Sequence, residues 1–264
     1  MAKIEKLEVQ PHGKIIVITG GYGHLGKAIT VSLLSNGAKV IVAGRNLEKF
    51  TKTFQFEEQE LKKELYFFDC DINSTKSIIS AVENIQNQFS CVDGVINNAF
   101  GVHGFSELTT SRENFNHTLD SSLTSSFEMI KAFKPIMSKG SCVINVASMY
   151  GIVAPDFRAY DNAKEYTSPP HYGIAKAGLI QLTRYCASYF GNEGIRVNSV
   201  SPGPFPNDEI QKNVKFMKEL NSRTLLGRYG RREELAGIFT FLMSDAASYI
   251  TGQNFIVDGG WMVR

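Results

Sequence analysis

The sequence has 264 residues, 43% of them hydrophobic and 20% charged, and its 28 Lys+Arg against 26 Asp+Glu leave a net charge of +2. A chain of that length holds one large α/β domain or two smaller ones, which excludes a small stapled scaffold, and the composition excludes a disordered chain. The near balance of charge and the lack of any basic run exclude nucleic acid as the main partner.

Short apolar, β-branched runs alternate along the chain with longer segments of helical period. The pattern predicts strand 14–19, helix 24–35, strand 39–43, helix 47–64, strand 65–69, helix 75–88 and strand 94–97. It continues with helix 112–137, strand 142–146, helix 172–190, strand 196–200, helix 232–243 and strand 254–257. Strands alternating with helical crossovers imply an α/β fold, a Rossmann-like doubly wound parallel sheet of about seven strands with helices on both faces. No repeat, low-complexity tract or linker divides the chain, so a single domain over residues 1–264 is expected. An eight-fold α/β barrel is the competing architecture at this length.

The first turn argues against the barrel. Strand 14–19 runs directly into Thr19-Gly20-Gly21-Tyr22-Gly23-His24-Leu25-Gly26, and a helix starts at once. Glycines there let backbone approach a pyrophosphate while the helix N-terminus favours its charge. A purely structural tight turn is the plain alternative. After strand 39–43 stands Gly44-Arg45, where an enzyme choosing NAD places an acid on the ribose 2′-hydroxyl. An arginine fork pairs instead with a 2′-phosphate, so NADP(H) is preferred over NAD(H); otherwise Arg45 is a solvated residue opening the next helix.

Tyr172 and Lys176 are spaced i, i+4 and share one face of helix 172–190. A neighbouring ammonium favours the phenolate and lowers the tyrosine pKa, which suits Tyr172 to general acid/base work. Ser148 follows strand 142–146, at the edge where open parallel sheets hold their ligands.

No apolar stretch reaches the roughly 18 residues of a membrane span, and Met1-Ala-Lys-Ile-Glu-Lys lacks the apolar stretch of a secretory signal. A soluble, cytoplasmic protein is expected. Cys70, Cys91, Cys142 and Cys186 are scattered without metal spacing, so they read as reduced, mostly buried thiols and no metal site is expected.

These residues together resemble the short-chain dehydrogenase/reductase family of the single-domain type, from Lys14 to the C-terminus. Beyond the turn, Ser148 and Tyr172/Lys176, the resemblance includes Asp71-Ile72, Asn97-Asn98-Ala99, Pro202-Gly203, Ser244-Asp245 and Val257-Asp258-Gly259-Gly260. It implies Tyr172 as general acid/base, Lys176 on the nicotinamide ribose, and Ser148 on the substrate carbonyl or alcohol. It further implies that Gly20, Tyr22, Gly23, His24, Leu25 and Gly26 hold the cofactor phosphates. Asp71 and Ile72 would border the adenine, Asn98 and Ala99 the ribose side, and Pro202 and Gly203 the nicotinamide. A small-molecule carbonyl or alcohol substrate and a homotetramer or dimer are implied as well.

Departures from the family pattern are local. His24 stands where the family has a glycine, either donating to a cofactor phosphate or facing solvent. Phe100 interrupts Asn-Asn-Ala-Gly, and Ser122 aligns with the family's relay asparagine, a weak catalytic candidate with Asp120 beside it. Residues 149–171 form a long segment expected to overhang the site, with Arg158, Asp161 and Lys164 either contacting a polar or anionic substrate or, the plainer reading for each, forming a solvated charged loop; residues 204–225 are the expected lid. The implied function is NADP-dependent interconversion of a carbonyl and a secondary alcohol. The alternatives are an enoyl-reductase-like enzyme, although its wider Tyr/Lys spacing would place Pro169 at the tyrosine position, and a catalytically inactive dinucleotide-sensing or scaffold protein.

Overall fold

Period-two alternation decides which side of the sheet each strand residue faces. Val17, Ile41, Val95 and Val143 pack into one apolar layer, while Ile16, Ile18, Val42 and Ile144 pack into the other. Strands buried on both faces in this way read as continuous Val/Ile runs, and each fully buried side chain contributes roughly 1.5–3 kcal/mol. The computed structural model describes residues 7–102 and 108–263. Residues 1–6, read above as lacking a secretory signal, lie outside the described residues.

In chain order the elements are β1 (Ile15–Thr19), α1 (His24–Ser35), β2 (Lys39–Gly44), α2 (Leu47–Phe54), α3 (Gln59–Lys63), β3 (Leu65–Asp69), α4 (Thr75–Phe89) and β4 (Val92–Asn97). They continue as α5 (Arg112–Leu119), α6 (Ser125–Phe133), β5 (Met137–Val146), α7 (Pro170–Phe190) and β6 (Arg196–Pro202). The last are α8 (Asp208–Gln211), α9 (Val214–Arg223), α10 (Arg232–Met243) and β7 (Asn254–Val257). The seven strands form one parallel sheet in the order β3-β2-β1-β4-β5-β6-β7. Helices α4, α6 and α7 cover one face, and α1 and α10 the other. The order reverses between β1 and β4, and a crevice outside the strand ends at such a reversal is where open α/β sheets bind ligands.

Two expected helices break. The segment 47–64 divides into α2 and α3, with Phe54 buried beside Phe50 and Phe56 89% exposed. The segment 112–137 becomes α5, a π-turn at Asp120–Thr124, α6 and a 3-10 turn at Lys134–Ile136. Hydroxyls compete with the helical ladder there: Ser126 Oγ donates to the Ser122 carbonyl at 2.6 Å. Pro135 then ends the helix, and Met137 already belongs to β5, which is longer than expected and shifts register against β4 between Val92 and Gly94. All four cysteines are free, with Cys70, Cys142 and Cys186 buried and Cys91 exposed. Among the described residues no helix is long and apolar enough to cross a membrane.

Candidate functional site

The turn between β1 and α1 is shaped by glycines at two points. Gly20 has φ +64°, the left-handed region, and a Cβ on Gly26 would stand 2.3 Å from the Gly20 carbonyl oxygen. The first turn of α1 therefore lies directly on the loop. Asn98, just past β4, braces it from the other side of the crevice: its Nδ2 donates to the carbonyls of Thr19 and Gly20 at 3.0 and 3.1 Å. Gly23 occupies the N-cap of α1, and no side chain among the described residues caps that end.

A cavity of about 520 Å³ runs along this turn. Gly20, Tyr22, Gly23, His24, Leu25 and Gly26 form one wall. Asn98 and Ala99, Pro202 and Gly203, and Ser148, Tyr172 and Lys176 form the others. Phe205, Asn207 and Ile210, from the expected segment 204–225, also line it, and sequence reasoning missed only Val146 and Ala147 beside them. Their position at the end of β5 was a usable signal, because that strand end faces the same crevice.

Four expected residues do not line the cavity. Arg45 lies past Tyr22 with its side chain 69% exposed, its guanidinium 3.8 Å from the Asp71 carboxylate. The Arg45 backbone N–H donates to the Tyr22 hydroxyl at 3.1 Å, so Tyr22 links the turn to this basic end. Ile72 packs against the core beside Asp71. Ser122 is 1% exposed within the π-turn, with its Oγ buried and without a partner among the described residues, away from the cavity. His24 is half-buried on the wall rather than facing open solvent, and its Nε2 has no partner among the described residues. Burial first, then the Arg232 charge, holds its pKa below the usual imidazole value.

Ser148 and Tyr172 also line a second cavity of about 450 Å³. Its walls are largely aromatic: Phe100, Tyr150, Tyr160, Tyr166, Phe205 and Phe216. Segment 149–171 reaches it through Tyr150, Tyr160 and Tyr166, and the 204–225 segment through Phe205 and Phe216. Phe216 ties the two together, 5.6 Å from the Tyr160 ring and stacked on Tyr166 at 5.3 Å. The candidate charged contacts are not part of it. Arg158 pairs with Asp156 at 2.7 Å, Asp156 also pairs with Arg223, and Asp161 and Lys164 are exposed outside the cavity. The two arginines, Arg158 first, hold the Asp156 carboxyl well below the usual carboxylate range.

The tyrosine expectation needs correction. Burial pushes the Tyr172 phenol above its ordinary pKa, and the Ser148 hydroxyl offsets only part of that rise. Lys176 is 2% exposed, donates its Nζ to the Val146 carbonyl at 2.7 Å and lies 4.7 Å from the Phe100 ring centroid. Burial lowers its pKa to about 7, so at neutral pH it is only part-charged and exerts no full cationic pull on the phenol. A protonated phenol and a serine hydroxyl in one wall can together bind an oxygen and hand it a proton.

The described residues fit a dinucleotide. The glycine turn leaves room for backbone approach, the cap of α1 carries no competing side chain, and His24 offers an orphaned ring nitrogen beside it. A family model described as enoyl-(acyl carrier protein) reductase matches residues 23–262. The post-translational flagellin modification protein A of Campylobacter coli is 31% identical over 259 residues, covering 94% of this chain and 98% of that protein. L-rhamnose-1-dehydrogenase of Scheffersomyces stipitis is 30% identical, covering 96% and 97%. The Pseudomonas aeruginosa RhlG/NADP active-site complex superposes with a TM-score of 0.85 at 25% identity, covering 97% of this chain and 99% of that one.

Proposed function

The chain belongs to the short-chain dehydrogenase/reductase family of oxidoreductases acting between CH–OH and C=O with a nicotinamide cofactor, and from that premise we propose that it is an NADP-dependent reductase of a carbonyl to a secondary alcohol, with Tyr172 as the acid. The observation that carries this reading is that Ser148 and Tyr172 line both cavities. They stand where a molecule in the aromatic pocket meets one lying along the glycine turn.

Bound NADPH supplies the hydride. Ser148, whose Oγ accepts from the Tyr150 N–H at 3.2 Å and whose hydroxyl bonds the Tyr172 phenol, turns its O–H to the substrate oxygen once that is bound. Tyr172 delivers the proton to that oxygen as charge builds on it. Its raised pKa keeps the phenol protonated at neutral pH, which supports the reducing direction. Lys176 anchors the helix to the end of β5 through Val146, and its buried ammonium is available to a ribose placed along the cavity. The glycine turn, with Asn98 behind it, holds the pyrophosphate; Asp71, Ile72 and Ala99 complete the adenosine and ribose sides. NADP over NAD is supported by Arg45, whose weak contact with Asp71 a 2′-phosphate would outcompete. Ser122 takes no part. The same reading has one NAD(P)-binding domain with substrate segments 149–171 and 204–225, in a cytoplasmic homo-oligomer.

NADPH and NADH titrations, followed by absorbance loss over ketones, keto-sugars and oxoacyl thioesters, test it. NADPH-dependent loss with at least one carbonyl is expected, and Tyr172→Phe abolishes turnover while leaving cofactor binding. Binding of NADPH without turnover on any carbonyl, or activity surviving Tyr172→Phe, refutes the reading. The description of the matching family model favours enoyl reduction as the second reading. Consumption of enoyl thioesters but not ketones would select it, although Pro169, seven residues before Lys176, leaves no tyrosine at the wider spacing.

A further inference from the structure

Among the described residues, no side chain that lines the aromatic pocket carries a charge. Outside it, Asp156 pairs with both Arg158 and Arg223, and Lys176, behind the Phe100 and Tyr172 rings, gives its Nζ to the Val146 carbonyl. A carboxylate or phosphate drawn into this pocket would lose its water and find no counter-ion among the described lining residues, a cost of several kcal/mol. Ring faces, by contrast, find partners: Phe100 and Tyr172 lie 5.9 Å apart at the cofactor side, and Tyr160, Tyr166 and Phe216 form a packed group in the lid. The volume of about 450 Å³ suits a small cyclic molecule.

The pocket also holds a donor without an acceptor. The Tyr150 and Tyr160 hydroxyls lie 2.5 Å apart, and among the described residues neither makes another hydrogen bond. Each hydroxyl carries one proton, and only one of the two protons can lie between the oxygens. The second O–H is unspent in a site where a buried unpaired donor costs about 1–3 kcal/mol. Burial keeps both phenols protonated, so the pair donates and never ionises near neutrality. The Ser168 Oγ, from another residue lining the pocket, is likewise buried and without a partner among the described residues. Tyr150 is fixed relative to Ser148 through the hydrogen bond from its N–H to the serine Oγ. The spare donor is thereby held at a set reach from the reacting oxygen.

Resting on the oxidoreductase reading above, we propose that the aromatic pocket takes an uncharged cyclic carbonyl or alcohol that bears a second oxygen on its ring, and that the Tyr150–Tyr160 hydroxyl pair recognises that second oxygen. The two tyrosines are specificity-determining residues, and they act on which substrate is chosen rather than on the proton transfer.

The test compares kcat/KM with NADPH for 3- and 4-hydroxycyclohexanone, cyclohexanone and 4-oxocyclohexanecarboxylate. The better hydroxylated ketone is expected to exceed cyclohexanone at least tenfold, and the carboxylate to fall below it. Removing both hydroxyls in Tyr150→Phe/Tyr160→Phe reduces the preference to within threefold, through KM rather than kcat, while each single variant reduces it less because one O–H remains. A thermal melt checks that the double variant is folded. Saturation-transfer NMR with NADP+ present, comparing cyclohexanediols with cyclohexanol, reads the same preference without turnover. Equal use of hydroxylated and plain ketone, a preference surviving the double variant, or selection of the carboxylate overturns the inference while reduction itself leaves the enzyme reading standing. Failure to reduce any ketone counts against the enzyme reading instead, and the NMR comparison then decides the pocket's choice on its own.

Discussion

Gly26→Ala is the sharpest probe of the glycine turn. The added Cβ would stand 2.3 Å from the Gly20 oxygen and 2.9 Å from both Asn98 Nδ2 and Gly21 Cα. Restoring even a 3.0 Å contact means moving the loop or α1 by 3.0 − 2.3 = 0.7 Å. The Gly20 carbonyl is not free to give way, since it accepts from the Gly23 N–H at 2.9 Å and from Asn98 at 3.1 Å. Overpacking costs about 1–3 kcal/mol, and weakening two hydrogen bonds adds about 1 kcal/mol or more, so a loss of roughly 2–4 kcal/mol is expected. At about 2–4 °C per kcal/mol for a chain near this size, the melting temperature falls by roughly 5–15 °C. NADPH affinity, measured by fluorescence titration, falls with it because the displaced carbonyl and the start of α1 shape the same wall. Gly237→Ala is the matched control: it lies in α10 with nothing within 4 Å of an added Cβ and is expected to stabilise by about 0.5–1 kcal/mol. A Gly26→Ala protein that melts and binds NADPH like the wild type would refute the packing argument.

Arg45→Ala is expected to weaken NADPH by about 10–100-fold, the value of one or two charge-assisted hydrogen bonds, while NADH changes little; parallel titrations check it. Lys176 gives a signed pH dependence. Its folded pKa is about 7, against about 10.4 in an unfolded chain. Below pH 7 both states hold the proton and the burial penalty is fully present. From about pH 7 to 10.4 the unfolded chain holds a proton that the folded one has released, so stability rises with pH. Urea midpoints between pH 7 and 9 should rise for the wild type and stay flatter for Lys176→Met. Asp156→Asn releases Arg158 and Arg223 and so loosens segment 149–171 from α9; substrate KM should rise severalfold while the NADPH dissociation constant moves less than twofold.

The sheet was legible because alternation of buried Val and Ile carries its own period, and helices 24–35 and 232–243 match α1 and α10 end to end. The broken helices were not, for different reasons. Pro135 was a visible stop that the apolar period overrode, whereas the division after Phe54 has neither Gly nor Pro to mark it. At the site, Ser148, Tyr172 and Lys176 converge as their motif implies. Spacing reports proximity but not solvation, and here burial raises the phenol and lowers the lysine, so the full ammonium expected beside Tyr172 is absent at neutral pH. Of the two readings of the charges in segment 149–171, the solvated one holds: Asp161 and Lys164 are exposed outside the pocket and Arg158 pairs with Asp156. What the segment brings to the pocket is rings, which its charge pattern does not reveal.

The glycine turn is the first part of the site to be made, and it waits on nearly the last. Gly203, on the cavity wall, gives its N–H to the Val257 carbonyl at 2.9 Å, and a side chain there would collide with Asp258. Leu226 in turn donates to Gly259 just beyond the lid segment. During synthesis the wall at Pro202-Gly203 thus has no backing until β7 has emerged and docked, long after the turn, Ser148 and Tyr172 are in place. A nascent chain lacking residues 254–260 would carry the whole reactive set yet have no closed site, and loss of those residues by proteolysis would disarm a finished molecule in the same way.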